Sequence, residues 1–224
     1  MQFNLFHSLC RIDTVTPKLG DRQIFQNFLE QVQLAEAIGF ATIWVAESHF
    51  SSEVQKTHKQ PVIPYYQGEV GLNNDSLQLA SWLFQATHRI GFGTAIFNIV
   101  GGNGGPISAA DRIRALAWYN SLSDRPRRLD IGVAAGRFPY INRPYGIVPR
   151  NAEEHLLWSA YQRLIFAEAL EIFLRLSNGE TLCSDHLTQH TIGPEWYPWE
   201  GEWEAILRQH PAAAAEDRFA YHPR

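Results

Sequence analysis

The stretch IGFGTAIFNIV, residues 90–100, places apolar residues or glycine at nearly every position, so a strand built from it would be apolar on both faces. Such a strand is typical of a parallel sheet covered by helices on both sides, whereas a half-exposed antiparallel strand alternates apolar and polar residues. Shorter apolar runs lie at residues 3–6, 42–45 and 129–133. The sequence therefore predicts four strands.

Segments with apolar residues at helical spacing follow these strands. Asp21 and Ser108 can each cap a helix, because their side chains accept a backbone N–H group at a helix start. The other two helices are predicted to start at Asp75 and at about Asn151. The last segment predicts one long helix over residues 151–177. Alternating strands and helices predict the α/β class with a parallel sheet, because a right-handed crossover packs each helix on the sheet. An open doubly wound sheet and part of a (β/α)₈ barrel both satisfy this pattern.

Composition narrows the classes of partner. The 224 residues carry a formal charge of −4, which offers no basic surface for nucleic acid or an anionic membrane. The longest apolar run, residues 37–46, is far shorter than the roughly 18 residues that cross a bilayer. The amino-terminal segment has no basic region ahead of its apolar residues, so no secretory signal is predicted. With only two cysteines, we expect a reducing, cytoplasmic location.

Three segments in order resemble the bacterial luciferase-like flavin-dependent monooxygenases. GFATIWVAESHF (39–50) is similar to that family's second strand, RIGFGTAI (89–96) to its third, and RLDIGVAAGR (128–137) to its fourth. The segment EALEIFLRL (168–176) is similar to the helix that follows. The resemblance implies a TIM (β/α)₈-barrel that binds a flavin, usually reduced FMN and in some branches a deazaflavin, at the carboxyl ends of its strands.

Only about four of the eight strand–helix units of such a barrel can be assigned. Residues 180–224 show no strand pattern and are too few for four more units of about 30 residues each. We therefore expect an incomplete barrel domain over residues 1–179 and an irregular C-terminal tail over 180–224. The first and fourth strands of a half barrel would be unpaired edges, which favours association into a homo-oligomer.

The second strand ends in the candidate catalytic pair Glu47 and His49. Ligand sites of α/β proteins lie at the carboxyl ends of strands, and residues i and i+2 of an extended chain project to one side. Glu47 could then orient the His49 imidazole, which would act as general acid or base near neutral pH. The family often has two adjacent histidines here, and Ser48 stands in place of the first.

The resemblance implies further site residues at other strand ends. Thr94 and Ala95 match the place where the family often has a cis peptide beneath the flavin ring. Flavin neighbours after the fourth strand would be Ala135, Gly136 and Arg137. In some hydroxylating branches the end of the first strand lines the substrate pocket, which makes His7 and Cys10 the candidate substrate residues.

Another group of residues has metal-ligating side chains at the spacing C-x2-H-x3-H. It consists of Cys183, Asp185, His186 and His190. The segment has no second cysteine pair and no zincin glutamate, so we predict no metal site there.

The resemblance implies an oxidoreductase that uses reduced FMN, supplied by a flavin reductase, and O₂ to oxygenate a small organic substrate. A deazaflavin-dependent oxidoreductase on the same scaffold is one alternative. The other is a truncated, non-catalytic family member or partner subunit.

Overall fold

The structure is a computed structural model that describes residues 1–12, 17–48, 68–136, 139–210 and 218–223. The strands are β1 (Asn4–His7), β2 (Cys10–Ile12), β3 (Thr42–Val45), β4 (Gly68–Val70), β5 (Gly91–Asn98), β6 (Leu129–Ala134), β7 (Thr191–Ile192) and β8 (Phe219–Ala220). The helices are α1 (Asp21–Ala37), α2 (Ser76–Ala86), α3 (Gly105–Ser121), α4 (Pro139–Asn142), α5 (Ala152–Leu156), α6 (Trp158–Ser177) and α7 (Glu202–Gln209). Two compact units divide the chain, one of Met1–Phe97 with Arg112–Val133, the other of Asn98–Asp111 with Ala134–Arg224.

The four predicted strands form one sheet in the order β1-β3-β5-β6. Strands β1 and β3 are parallel with Asn4 opposite Thr42, and β3 and β5 are parallel with Thr42 opposite Gly91. The alternation of strand and helix along the chain requires this arrangement, so the predicted α/β class with a parallel sheet is confirmed. Strands β1 and β6 are the edges of the sheet, as predicted.

Several helix boundaries differ from the sequence prediction. Helix α1 begins at Asp21 with Gly20 as its N-cap, so the predicted Asp21 cap is wrong. Helix α3 begins at Gly105, so Ser108 lies within its first turn instead of capping it. The predicted helix over 151–177 is two helices, α5 and α6, with Leu157 between them. Asp75 does cap α2, because its side chain accepts the N–H groups of Leu77 and Gln78.

A buried carboxylate attaches α1 to the start of β5 within the first unit. The side chain of Glu36 accepts hydrogen bonds from the backbone N–H groups of His88 (2.8 Å), Arg89 and Ile90 (2.9 Å). The Arg127 guanidinium lies 3.9 Å from the same carboxylate. Burial alone would raise the pKa of Glu36, but these N–H donors and Arg127 lower it overall, so the carboxylate is ionised at neutral pH.

One face of the sheet in the first unit carries exposed apolar side chains. Phe6 of β1 and Trp44 of β3 are opposite each other, so their side chains project to the same side of the sheet. A side chain at Gly93 would collide with the Trp44 ring, because a Cβ at Gly93 would lie 2.5 Å from a carbon of that ring. Ile96 and Trp44 both approach Gly132 on this side. Phe6 is 62% exposed and Ile96 is 50% exposed. We call Phe6, Trp44 and Ile96 the open face.

The second unit has its own apolar core around α6. Leu157, Tyr161 and Leu164 are fully buried there. Side chains from residues 180–224 complete this core, namely Ile192, Trp203, Ile206, Phe219 and Tyr221. The segment for which the sequence pattern indicated no regular element thus contributes α7 and the antiparallel pair of β7 with β8. Whether 180–224 is a separate region from 1–179 stays a prediction.

Within the described ranges, we find no helix that combines the length and the apolar character needed to cross a bilayer.

Candidate active site

The carboxyl end of β3 is fastened to the start of α2. The Glu47 carboxylate accepts the backbone N–H of Ser76 at 2.9 Å, where α2 begins. Beside it, the Asn73 side chain donates to the carbonyl of Ala46 at 3.0 Å and to the Ser76 hydroxyl at 3.1 Å. Glu47 is half-buried, so this arrangement holds its carboxylate in one orientation at the strand end. This position of Glu47 is compatible with the prediction that its carboxylate orients an imidazole two residues further along the chain.

Two predicted site residues, His49 and Arg137, lie outside the described residues. The pairing of Glu47 with His49 and the contact of Arg137 with a flavin therefore stay predictions.

The end of β1 brings His7 and Cys10 together. Both residues line a cavity of about 190 Å³ in the first unit, together with polar side chains that include Asn27 and Gln31. The Cys10 thiol donates to the Ser8 hydroxyl at 3.1 Å. Burial lowers the pKa of His7, so its imidazole is neutral at pH 7 and can act as a hydrogen-bond donor and acceptor. Small polar molecules fit a cavity of this size and lining.

Thr94 and Ala95 lie on β5. The Thr94 hydroxyl is buried and donates to the carbonyl of Gly132 at 2.9 Å, which ties β5 to β6. The cis peptide bond joins Ala95 to Ile96, one bond beyond the Thr94–Ala95 position implied by the resemblance.

Ala135 and Gly136, the residues after β6, line the largest cavity described in the second unit, with a volume of about 420 Å³. Gly136 has a φ of 85°, and a Cβ there would lie 2.4 Å from the Asn98 amide nitrogen. Only glycine satisfies both the left-handed backbone and this close approach. The Asn142 side chain donates to the carbonyl of Ala135 at 2.7 Å and fixes the turn.

Two amide groups that the sequence analysis missed adjoin this turn. Asn98 is 5% exposed, its oxygen accepts the N–H groups of Val100 and Gly101, and its amide nitrogen has no partner among the described residues. The Asn142 amide oxygen is likewise buried without a partner in the described ranges. Buried amide atoms are nearly always hydrogen-bonded, so the unused donor and acceptor at this turn indicate an ordered water between the segments. Of the two residues, Asn142 lines the cavity.

The remaining walls of the cavity are mostly apolar. The residues that line it besides the turn are Val100, Arg143, Ile147, Val148, Pro149, Trp158, Gln162 and Ile165. A concave, largely apolar site of 300–1,000 Å³ with a few polar groups is typical of sites for organic ligands and cofactors. An aromatic heterocycle with polar edge groups has the size and chemistry that this cavity would accept.

The C-x2-H-x3-H group is only partly brought together. Ligand atoms of Cys183, Asp185 and His186 lie within 4.8 Å of one another. The His190 ring instead packs against the Tyr221 ring, with centroids 6.2 Å apart.

In a comparison with known protein families, the luciferase-like monooxygenase family matches residues 1–215 of the chain. Among solved structures, monooxygenase RslO1 from Streptomyces bottropensis superposes with a TM-score of 0.55 and 20% identity over 84% of this chain and 47% of that one.

A second solved structure is the oxygenating constituent of 3,6-diketocamphane monooxygenase from the CAM plasmid of Pseudomonas putida, a type II Baeyer-Villiger monooxygenase in complex with FMN. It superposes with a TM-score of 0.51 and 17% identity over 88% of this chain and 42% of that one. The described sheet is therefore part of a TIM-barrel fold, and the chain spans less than half the length of either structure. No curated protein sequence matches the chain.

Proposed function

We propose, from the premise that this chain belongs to the luciferase-like monooxygenase family, that it acts in a flavin-dependent oxygenation. The cofactor would be reduced FMN, renewed by a flavin reductase, and the co-substrates would be O₂ and a small organic molecule. The observation that carries the proposal is the cavity beside the β6 turn, where Ala135, Gly136 and Asn142 line about 420 Å³ of space.

The residues of this cavity fit a flavin ring. The pyrimidine edge of an isoalloxazine carries both N–H donors and carbonyl acceptors, which the polar lining side chains of Asn142 and Gln162 would meet. The apolar walls would cover the faces of the ring and exclude water. A bound reduced flavin supplies the electrons that activate O₂, while the protein contributes binding, orientation and electrostatics.

The acid and base work would fall to Glu47 and His49. Glu47 is held by the N–H of Ser76 at 2.9 Å and would orient the His49 imidazole, which would move the proton that oxygenation of the substrate requires. His7 and Cys10 would contact the substrate, because both line the cavity at the end of β1. We place the protein in the cytoplasm, where reductases and reduced flavin are found.

Flavin titration tests the proposal. FMN fluorescence should be quenched as protein is added, and Val148→Trp, which fills the cavity, should raise the Kd for FMN at least about tenfold, equal to about 1.4 kcal/mol. The matched control is Leu122→Trp, which places the same ring at a residue that is 82% exposed. If circular dichroism shows that both variants are folded and their Kd values for FMN are equal, FMN does not bind in this cavity.

We expect the isolated chain to bind FMN only weakly, because the family resemblance implies that the flavin phosphate binds in barrel units other than the four assigned here. FMN and riboflavin should then bind with Kd values that differ by less than about tenfold, since a charged phosphate contact is worth more than about 1.4 kcal/mol. A strong preference for FMN that disappears in Arg143→Gln would contradict this and assign the phosphate to Arg143, a cavity residue.

The alternative is a non-catalytic family member or partner subunit. That reading predicts no quenching with FMN, riboflavin or a deazaflavin at micromolar protein. Quenching by the deazaflavin alone would instead support the deazaflavin-dependent oxidoreductase.

A further inference from the structure

We propose that Cys183, Asp185 and His186 bind one divalent transition-metal ion of the zinc type. The Cys183 sulfur, a carboxylate oxygen of Asp185 and an imidazole nitrogen of His186 all lie within 4.8 Å of one another. None of the three lines the cavity of the β6 turn, so this site is separate from the proposed flavin site.

A tight turn brings the three side chains together. Residues Ser184–His186 form one turn of 3₁₀ helix, closed by a hydrogen bond from the His186 N–H to the Cys183 carbonyl at 3.0 Å. In a 3₁₀ turn, side chains three residues apart lie on the same side. Cys183 and His186 have this spacing, and Asp185 is adjacent to both. The convergence thus follows from the backbone and does not depend on a distant contact.

The turn is also fixed to the last turns of α6. The Arg175 guanidinium donates to the His186 carbonyl at 2.8 Å, and the N–H of Thr188 donates to Glu171 at 3.1 Å. Arg175 is itself paired with Glu171 at 3.0 Å and with Glu180 at 2.8 Å. A ligand set held in advance loses less conformational entropy when the ion binds.

Local charge favours a cation. Around the turn, Glu171 and Glu180 contribute two carboxylates against the single guanidinium of Arg175. The turn also lies beside the carboxyl-terminal end of α6, where the helix dipole is negative. Both effects oppose the repulsion between Arg175 and a bound ion.

The ligand types select the metal. A thiolate, an imidazole and a carboxylate match Zn²⁺ and the ions that replace it, whereas Mg²⁺ and Ca²⁺ prefer oxygen ligands alone. Binding forms a sulfur–metal bond, and the thiol proton of Cys183 is released to solvent. All three residues are exposed, so water would fill the fourth position of a tetrahedral ion. The proposal thus replaces the sequence prediction that this segment holds no metal.

Cobalt titration of the reduced protein under argon tests the site. One equivalent of Co²⁺ should produce a thiolate-to-cobalt charge-transfer band, and one equivalent of Zn²⁺ should abolish it. Cys183→Ser should remove the band, and Asp185→Asn and His186→Ala should each raise the Kd for Co²⁺ by at least about tenfold, because even the loss of an outer-shell partner costs a site that much. All three residues are exposed, so the variants should keep the far-ultraviolet circular dichroism of the parent protein.

Two matched controls complete the experiment. Cys10→Ser removes the other cysteine, and His190→Ala removes the histidine that packs on Tyr221, so both should keep the parent Kd. A band that survives Cys183→Ser, or is lost in Cys10→Ser, would overturn the proposal. So would an unchanged Kd in Asp185→Asn and His186→Ala, because the thiol would then be binding cobalt by itself.

Discussion

Replacing Glu36 with glutamine should lower the free energy of unfolding by about 3 kcal/mol. The Glu36 carboxylate accepts the N–H groups of His88, Arg89 and Ile90. A hydrogen bond to a charged group contributes about 1.5–3 kcal/mol and a neutral one about 0.5–1.5 kcal/mol, so neutralising this acceptor removes about 1 kcal/mol at each donor. Glutamine keeps the size of the side chain, which isolates the effect of the charge.

Alanine at the same position should cost more, about 5 kcal/mol. It leaves the N–H of the buried Ile90 without its acceptor and removes the carboxylate beside Arg127, whose side chain is only 8% exposed. Breaking a buried ion pair by removing one partner costs about 3–5 kcal/mol, because the other charge stays buried. The order of stability should therefore be parent, Glu36→Gln, Glu36→Ala.

The pH dependence gives an independent check on the same carboxylate. The pKa of Glu36 is below its ordinary value of 4.5 in the folded protein, because its N–H donors and Arg127 outweigh the effect of burial. A depressed folded-state pKa stabilises the protein above the unfolded pKa and ceases to do so as pH falls through the folded pKa. The difference between parent and Glu36→Gln should thus be full at pH 7 and shrink in acid below pH 4.5.

Urea unfolding followed by circular dichroism at a series of pH values measures both effects. The control is Glu30→Gln, an exposed acid on the same helix, which should stay within about 0.5 kcal/mol of the parent. The reasoning is refuted if Glu36→Gln matches Glu30→Gln at pH 7, or if its deficit is the same at pH 3 as at pH 7.

Three further substitutions test the packing, the open face and a helix cap. Gly93→Ala should cost about 1–3 kcal/mol in urea unfolding, because its Cβ would lie 2.5 Å from a Trp44 ring carbon. Gly20→Ala meets nothing within 4 Å and should cost less than about 1 kcal/mol, the effect of alanine at the N-cap of α1. Phe6→Lys should convert a homo-oligomer to monomer in sedimentation velocity if association covers the open face, since Phe6 is 62% exposed there; an unchanged mass would place the interface elsewhere. Asn151→Ala should lose about 1 kcal/mol and Asn151→Asp almost none, because this side chain caps α5; equal losses would argue against the cap.

Much of the sheet could be predicted because its signals are local. The strand at residues 42–45 has the predicted bounds, and the second helix begins directly after Asp75, where the sequence placed its start. Strands β7 and β8 were missed because two residues each are too few to show a period of two. The break at Leu157 was missed because apolar spacing continues through it.

The candidate site was less accessible to sequence reasoning. Ala135 and Gly136 were found through the family resemblance, and a cavity does adjoin them. Asn98 and Asn142 were not found, because they are 44 residues apart in the sequence and only the fold brings both side chains to the turn at Gly136. The glycines that follow β5 are the one sequence signal that could have indicated this close packing. A side chain at Gly101 would collide with the Asn142 amide.

The anchoring of α1 has a consequence for how this scaffold can change over evolutionary time. Glu36 binds the chain at residues 88–90, just before β5, while Glu47 and His7 lie where β3 and β1 finish. The Glu36 anchor and the groups proposed for chemistry are therefore at opposite rims of one sheet. Mutations at the reactive rim leave the Glu36 anchor in place, so substrate preference can change there while α1 stays attached to the chain before β5.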